Sequence, residues 1–315
     1  MGFYRSVRAV TGASGSGAID WTAVGDAARA ATEAGDLEVS EAERRAYATD
    51  VADARREIRA ASTIDFDLPA TVEIQHRHHW IDANVDTFER LVSPLESRTG
   101  AVPGAARVVN TGSMAVALTF LANHVLGQYD PLLLADRDDH KLYFVRPNIH
   151  RVARQLDVPV PRFRRWIAFH EVAHAAEFGA APWLPDHLEA TLEETIDGLA
   201  DGRLARDSLG DLDTTMTAVE GYAELLMDRA FDERFADLRR KVEERRRGRG
   251  PVERLFRRIL GLSVKRQQYE RGKAFFDAVA DERGVAAAAR VWDSPETLPT
   301  DEELDDPARW LARVA

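Results

Sequence analysis

The chain of 315 residues contains no cysteine. Disulfides and thiolate metal sites are therefore excluded, and any metal site must be built from histidine and carboxylate ligands. Lysine is almost absent, with only Lys141, Lys241, Lys265 and Lys273, so nearly all of the 42 basic residues are arginine. Acidic residues outnumber basic ones and the net charge is −11. We therefore expect no nucleic-acid partner.

Long apolar runs are also missing. No stretch approaches the roughly 18 to 20 apolar residues of a membrane span, and residues 1–10 lack the apolar core of a secretory signal. These absences predict a cytoplasmic protein without a membrane partner. The length is enough for one large domain or two lobes. We expect a flexible segment over residues 1–18 and a single domain over 19–315, either undivided or split into lobes 19–150 and 151–315 that flank a cleft.

Residues 10–18 are rich in glycine and serine and are similar to a dinucleotide-binding loop. That function needs alternating strands and helices around the loop. The residues that follow, 19–34 and 40–61, have helical patterns instead, so we interpret the stretch as flexible.

Most of the remaining chain is helical in pattern, which predicts an α+β fold that is predominantly α-helical. The clearest β signal consists of two apolar runs, 132–135 and 142–145, around a polar turn at 136–141. This pattern predicts a hairpin. The hairpin precedes a helical motif by about 25 residues, and it either holds an extended substrate beside that motif or only covers the core.

That motif is His170-Glu171-Val172-Ala173-His174, an HExxH sequence. On a helix, positions i and i+4 share one face, so the two imidazoles can bind one Zn²⁺ ion. Glu171 then lies close to the open side of the metal, where it can serve as a general base.

A catalytic zinc needs a third protein ligand. The extended pattern HExxHxxGxxH is excluded, because residues 177 and 180 are Glu177 and Ala180. Glu177 lies too far along the helix to reach the metal itself. Glu220 and Glu224 share one face of a largely apolar helix, where unpaired carboxylates are costly. We expect Glu220 to be the ligand and Glu224 to orient a ligating imidazole. Gly221 would allow a close backbone approach there. Rival ligands are Glu193, Glu194 and Asp197.

The chain resembles a zincin-like family of prokaryotic zinc hydrolases and metalloproteases that gene neighbourhoods associate with deazaflavin coenzyme biosynthesis. The resemblance implies a zincin-like metallopeptidase core, with a small β-hairpin or sheet and an HExxH helix, of the HExxH-plus-Glu type. It rests on these residues: 19–21, 127–131, 147–148, 163–178, 182–184, 220–221, Gly261, Lys265, Tyr269, Phe275, Trp292, 298–299, Pro307 and Trp310.

These observations predict a zinc-dependent hydrolase, most simply a metallopeptidase that cleaves an amide bond in a peptide or small amide with Glu171 as general base. A donor should stabilise the oxyanion, and the candidates are Tyr222, His150, His187 and Tyr269. The alternative is a non-catalytic zinc-binding scaffold whose cleft holds a partner or a small ligand. A di-metal carboxylate bundle is disfavoured, because the other Glu-x-x-His, from Glu73 to His76, begins in a stretch that is predicted to be a loop with a short extended piece and not a helix.

Overall fold

The computed structural model describes residues 2–15, 17–69, 71–98, 103–130, 140–200, 206–230, 237–238, 240–242 and 266–314. The first five helices are Gly2–Thr11 (α1), Trp21–Ala31 (α2), Glu41–Ser62 (α3), Arg77–Arg98 (α4) and Gly104–Ala122 (α5). The next four are Arg146–Gln155 (α6), Val160–Ala180 (α7), Leu184–Ala200 (α8) and Arg206–Ala230 (α9). The last four are Arg266–Arg283 (α10), Val285–Ala288 (α11), Asp301–Asp305 (α12) and Pro307–Val314 (α13), with 3-10 turns at Ala289–Trp292 and Pro295–Thr297.

Three strands form one small sheet in the order β1-β3-β2, from Thr71–Gln75 (β1), Gly127–Asp130 (β2) and Lys141–Val145 (β3). The central strand β3 pairs in parallel with β1 and antiparallel with β2, where Gly127 faces Phe144. Residues 142–145 are buried. The predicted α+β class with a helical majority is confirmed.

The prediction of an antiparallel hairpin is correct, but its first strand lies earlier in the sequence than predicted. β3 covers the second predicted run, but its antiparallel partner is 127–130. The first predicted run, 132–135, lies outside the described residues. Gln128, Tyr129 and Asp130 carry no continuous apolar run that would have marked them as a strand.

Two buried clusters form the core. The smaller one joins α2, α4 and α5 through residues such as Trp21, Trp80 and Leu118. The larger one joins α3, β3 and α6 to the helices from α7 onward. Since α3 and β3 belong to the larger cluster, the clusters do not divide at residue 150. That 19–315 forms a single domain stays a prediction.

The N-terminal segment corrects a further expectation. Residues 2–11, predicted to be flexible, form helix α1. Val10 lies against α5, where an added Cβ on Gly112 would be 3.2 Å from its Cγ1 atom. Helix α1 is only ten residues long, so its pattern is weak evidence for a helix beside the glycine- and serine-rich residues that follow it.

Helix α7 carries the HExxH sequence through the core. Pro161 lies in its first turn, where a missing N–H costs no helical hydrogen bond. The helix ends at Ala180, just before Pro182. Buried residues occur on both sides of the HExxH sequence, from Phe163 to Glu177. The motif is therefore held rigidly, with α9 and β2 as neighbours.

Candidate metal centre

His170 and His174 lie one helical turn apart on α7, and their Nε2 atoms are 3.3 Å from each other. The Trp166 ring stacks on His170 with a centroid distance of 5.7 Å. Two imidazole nitrogens that converge in this way have the spacing and direction needed to share one ion.

Glu220 reaches the same point from α9. Ligand atoms of His170, His174 and Glu220 all lie within 4.8 Å of one another. The Oε2 atom of Glu220 is buried and has no hydrogen-bond partner among the described residues. A carboxylate oxygen in that state is costly unless a cation satisfies it. The donor set of two nitrogens and one oxygen therefore fits a metal such as zinc.

A glycine contact brings α9 into place. A Cβ on Gly221 would lie 2.4 Å from the carbonyl carbon of Gly272 on α10, and one on Gly272 would lie 2.3 Å from the Thr217 carbonyl oxygen. The expected close backbone approach next to Glu220 is thus confirmed, and its partner is α10. Only glycines permit this crossing.

Glu171 is held by the edge strand β2. The Tyr129 N–H donates to its Oε2 atom over 2.9 Å. A Cβ on Gly127 would lie 2.7 Å from both Cγ and Oε1 of Glu171. Strand β2 therefore passes directly along the carboxylate, and Gly127 leaves the room for it.

The carboxylate that orients a histidine is Glu177. Its Oε2 lies 2.8 Å from Nδ1 of His174. An ionised Glu177 carboxylate can only accept, so Nδ1 would donate to it, and in a neutral ring the Nε2 lone pair would then be left for a metal. The orienting role was predicted for Glu224. Glu224 is buried one turn beyond Glu220, but at His174 Nδ1 the carboxylate is Glu177, which shares its helix face at i+3.

The buried titratable groups of this centre have shifted pKa values. Burial raises the pKa of Glu171 to about 7, although His174 and the Tyr129 N–H oppose the shift. Burial also raises the pKa of Glu177 to about 7, against the influence of His174. For His174, burial lowers the pKa, but Glu177, Glu220 and Glu171 together raise it to about 10. Such a cluster of carboxylates attracts positive charge, which a proton or a metal ion can supply.

The four predicted oxyanion donors lie in different surroundings. Tyr222 is buried between Phe276 and Trp292. His150 lies on α6, where its Nε2 is 3.4 Å from Glu43 Oε1.

His187 on α8 has its Nε2 3.5 Å from the Thr215 hydroxyl on α9. The side chain of Tyr269 lies outside the described residues. No described contact joins Tyr222, His150 or His187 to Glu171, so the oxyanion donor stays unassigned.

The rival ligands on α8 are less suitable. Glu193 and Glu194 are exposed, and the side chain of Asp197 lies outside the described residues. An exposed carboxylate carries no desolvation cost that a metal would relieve.

Three residues of the centre were missed by the sequence reasoning. The sequence analysis considers Glu177 only as a metal ligand, although its i+3 spacing from His174 is compatible with an orienting role. Gly127 and Tyr129 gave no signal of contact with Glu171, because strand-to-helix contacts across 42 residues are not visible in local patterns.

The chain is similar to known proteins in sequence and in fold. The sequence matches the family described as zincin-like metallopeptidase over residues 19–207 and 201–311. It is also similar to a protein from Chloroflexus aurantiacus whose crystal structure is described as that of "a putative hydrolase with a novel fold". The two are 31% identical, the TM-score is 0.80, and the alignment covers 94% of this chain and 98% of the other.

No curated protein matches the chain. Neither similarity concerns deazaflavin coenzymes. Both support a hydrolase, and the family implies a metal, typically zinc. Because the family match spans most of the chain, this protein belongs to the zincin-like metallopeptidase family.

Proposed function

We propose that this protein is a zinc-dependent hydrolase of the HExxH-plus-Glu type that cleaves an amide bond. One observation carries the proposal: the buried, unpartnered Oε2 atom of Glu220 lies beside two converging histidines. His170, His174 and Glu220 would hold the metal. Glu177 contacts Nδ1 of His174 and would keep its Nε2 atom directed at that metal.

When bound, zinc lowers the pKa of a coordinated water and polarises the carbonyl of a substrate. Glu171 takes the proton from the attacking water and delivers it to the leaving nitrogen as the amide bond breaks. Its burial suits this role, because burial raises the pKa of the carboxyl and so favours uptake of a proton. The Tyr129 N–H fixes the direction of the carboxylate.

The edge strand β2 favours an extended substrate. Tyr129 turns its N–H away from β3 and toward Glu171. In an antiparallel pair, residues two apart turn their backbone groups to the same side, so those of Gly127 also face this edge. An extended peptide pairing there would bring its scissile amide alongside Glu171.

The test combines metal analysis with a cleavage assay on a peptide library. Bound zinc is measured by elemental analysis in the wild type, His174→Ala, Glu220→Gln and Glu171→Gln. We expect one zinc per chain in the wild type and in Glu171→Gln, and strongly reduced zinc in the other two. Glu171→Gln should lose at least about 100-fold in turnover, the usual contribution of a general base.

Three outcomes would contradict parts of this proposal. Full zinc occupancy in Glu220→Gln would remove Glu220 from the ligand set. Equal turnover of Glu171→Gln and the wild type at matched zinc content would remove the general base. Stoichiometric zinc with no cleavage of any peptide or small amide would favour the alternative, a non-catalytic zinc-binding scaffold.

A further inference from the structure

Exposed apolar side chains of the described structure are concentrated on two helices that contact each other. Six large hydrophobic residues are notably exposed, and four of them lie on α1 and α5. Tyr4 and Val7 on α1 are 76% and 43% exposed, and Val109 and Val116 on α5 are 65% and 62% exposed. Clustered apolar exposure of this kind marks an interaction surface.

The four residues lie on two helices that contact each other. Val10 of α1 lies against Gly112 of α5, and Gly112 lies between Val109 and Val116 along α5. Helix α1 therefore packs beside the exposed stripe of α5. We call this surface the α1–α5 face and define it by Tyr4, Val7, Val109 and Val116 with the two arginines of α1, Arg5 and Arg8.

Charge distinguishes this face from the rest of the molecule. Asp and Glu make up 53 of the 315 residues, yet residues 1–19 and 97–129 contain none of them. Those two stretches include all of α1 and α5. Arg5 and Arg8 are exposed, and neither guanidinium has an ion pair with a described residue. The face is thus apolar and basic on a strongly acidic protein.

We propose that the α1–α5 face binds the surface of a membrane that contains anionic lipids. Apolar side chains with neighbouring arginines and an interfacial tyrosine are the features by which amphipathic helices lie on such membranes. A second copy of this chain fits less well, because two-fold packing would oppose like charges with no acid on either face. The inference is independent of the proposed hydrolase activity.

The protein would lie on the membrane and not cross it. Among the described residues, α5 alone is long and apolar enough to span a bilayer by length and composition. Its other face is packed against α2 in the smaller core cluster, where Ala115, Leu118 and Ala122 are buried. The sequence prediction that no stretch approaches a membrane span is therefore corrected at α5, and that prediction concerned spanning segments and not binding at the membrane surface.

The experiment is co-sedimentation of the full chain with vesicles of phosphatidylcholine alone or mixed equally with phosphatidylglycerol. We expect binding to the mixed vesicles only, weakened by added salt. Arg5→Ser/Arg8→Ser should lower the partition coefficient roughly 25-fold, since each basic residue contributes about fivefold at an anionic surface. Val109→Ser/Val116→Ser should lower it by a similar factor.

Matched controls lie elsewhere on the surface. Val72→Ser replaces an exposed valine on β1, and Arg45→Ser an exposed arginine on α3. Both should bind vesicles as the wild type does, and unchanged circular dichroism should show that all variants fold. No wild-type binding to mixed vesicles, or equal binding by the face variants and the controls, overturns the proposal. Concentration-dependent dimers that Val109→Ser/Val116→Ser abolishes, without vesicle binding, would assign the face to a second copy.

Discussion

Single substitutions can show whether Glu177 or Glu224 orients a metal-binding histidine. Glu177 lies 2.8 Å from Nδ1 of His174. Glu177→Gln should weaken zinc binding about tenfold, the lower end of the usual effect of losing an orienting partner. Glu224→Gln should change it less than about twofold. The measurement is competition for zinc against a chelator of known affinity. A larger loss in Glu224→Gln would return the orienting role to Glu224.

The side chain of Glu171 requires a glycine at position 127 of the neighbouring strand β2. A methyl group on Gly127 would overlap the Cγ and Oε1 atoms of Glu171, so Gly127→Ala must displace the carboxylate or the strand. We expect cleavage to fall at least about tenfold while the zinc content stays at the wild-type level. Zinc loss instead would mean that β2 supports the metal ligands as well as the base.

At the scale of elements, the crossing of α9 and α10 positions Glu220. Gly221→Ala would place a Cβ 2.4 Å from the backbone of Gly272. The helices must then separate, which should lower the free energy of unfolding by about 2 kcal/mol, a typical cost of overpacking. Zinc affinity should fall too, because Glu220 moves with the helix. Urea unfolding and chelator competition provide the two measurements.

Gly210 provides the matched control for both glycine substitutions. It lies in α9 and is exposed, and no atom of the described residues lies within 4 Å of the position that its Cβ would take. Gly210→Ala should raise the free energy of unfolding by roughly 0.5–1 kcal/mol, because alanine favours the helix. Zinc content and cleavage should not change. A destabilised Gly210→Ala would show that the loss in Gly221→Ala is not specific to the crossing.

The C-terminal helices depend on an ion pair. Arg313 of α13 donates from Nε and Nη2 to Glu303 of α12 over 2.7 and 2.8 Å, and from Nη2 to the Leu298 carbonyl oxygen over 2.9 Å. Glu303 also caps α12 by accepting from the Thr300 N–H. The hydrogen bond from Arg313 lowers the pKa of Glu303, and partial burial opposes the shift.

This pKa shift predicts a pH dependence of stability. Because the folded pKa of Glu303 lies below its ordinary value of 4.5, the stabilisation is fully present above pH 4.5 and is lost as the pH falls through the folded value. Glu303→Gln should therefore cost about 1 kcal/mol at pH 7, a small figure because Arg313 is 39% exposed. The cost should shrink below pH 4. Urea unfolding of both proteins across that range tests it, and a difference independent of pH would contradict it.

At the scale of the whole molecule, periodic features were predictable from the sequence. The HExxH face, the helix end at Pro182, the β3 strand and the packing role of Gly221 all follow from local spacing or from residues with special backbone freedom. Three other features were not predictable in this way. They are the helix that contacts Gly221, the strand that contacts Glu171 and the first strand of the hairpin. Each depends on a contact between segments far apart in sequence, and no periodicity encodes such a contact.

The same limit explains the N-terminal half. Helix α1 is too short for its pattern to be decisive by itself, and its packing depends on Gly112, about 100 residues later. The exposure of Val109 and Val116 is equally hidden, since valine in a helix is most simply interpreted as core. Only the composition distinguishes these two helices in the sequence, because residues 1–19 and 97–129 contain no acidic residue.

The glycine crossing of α9 and α10 also sets the order in which a growing chain becomes able to hold a metal ion. His170 and His174 leave the ribosome about 100 residues before Gly272, a delay of about 5–20 s at ordinary rates of synthesis. During that interval Glu220 lacks the helix that positions it, so the nascent chain has only a pair of histidines. Tight metal capture, and any hydrolysis that depends on it, would thus begin only after the C-terminal helices have been made.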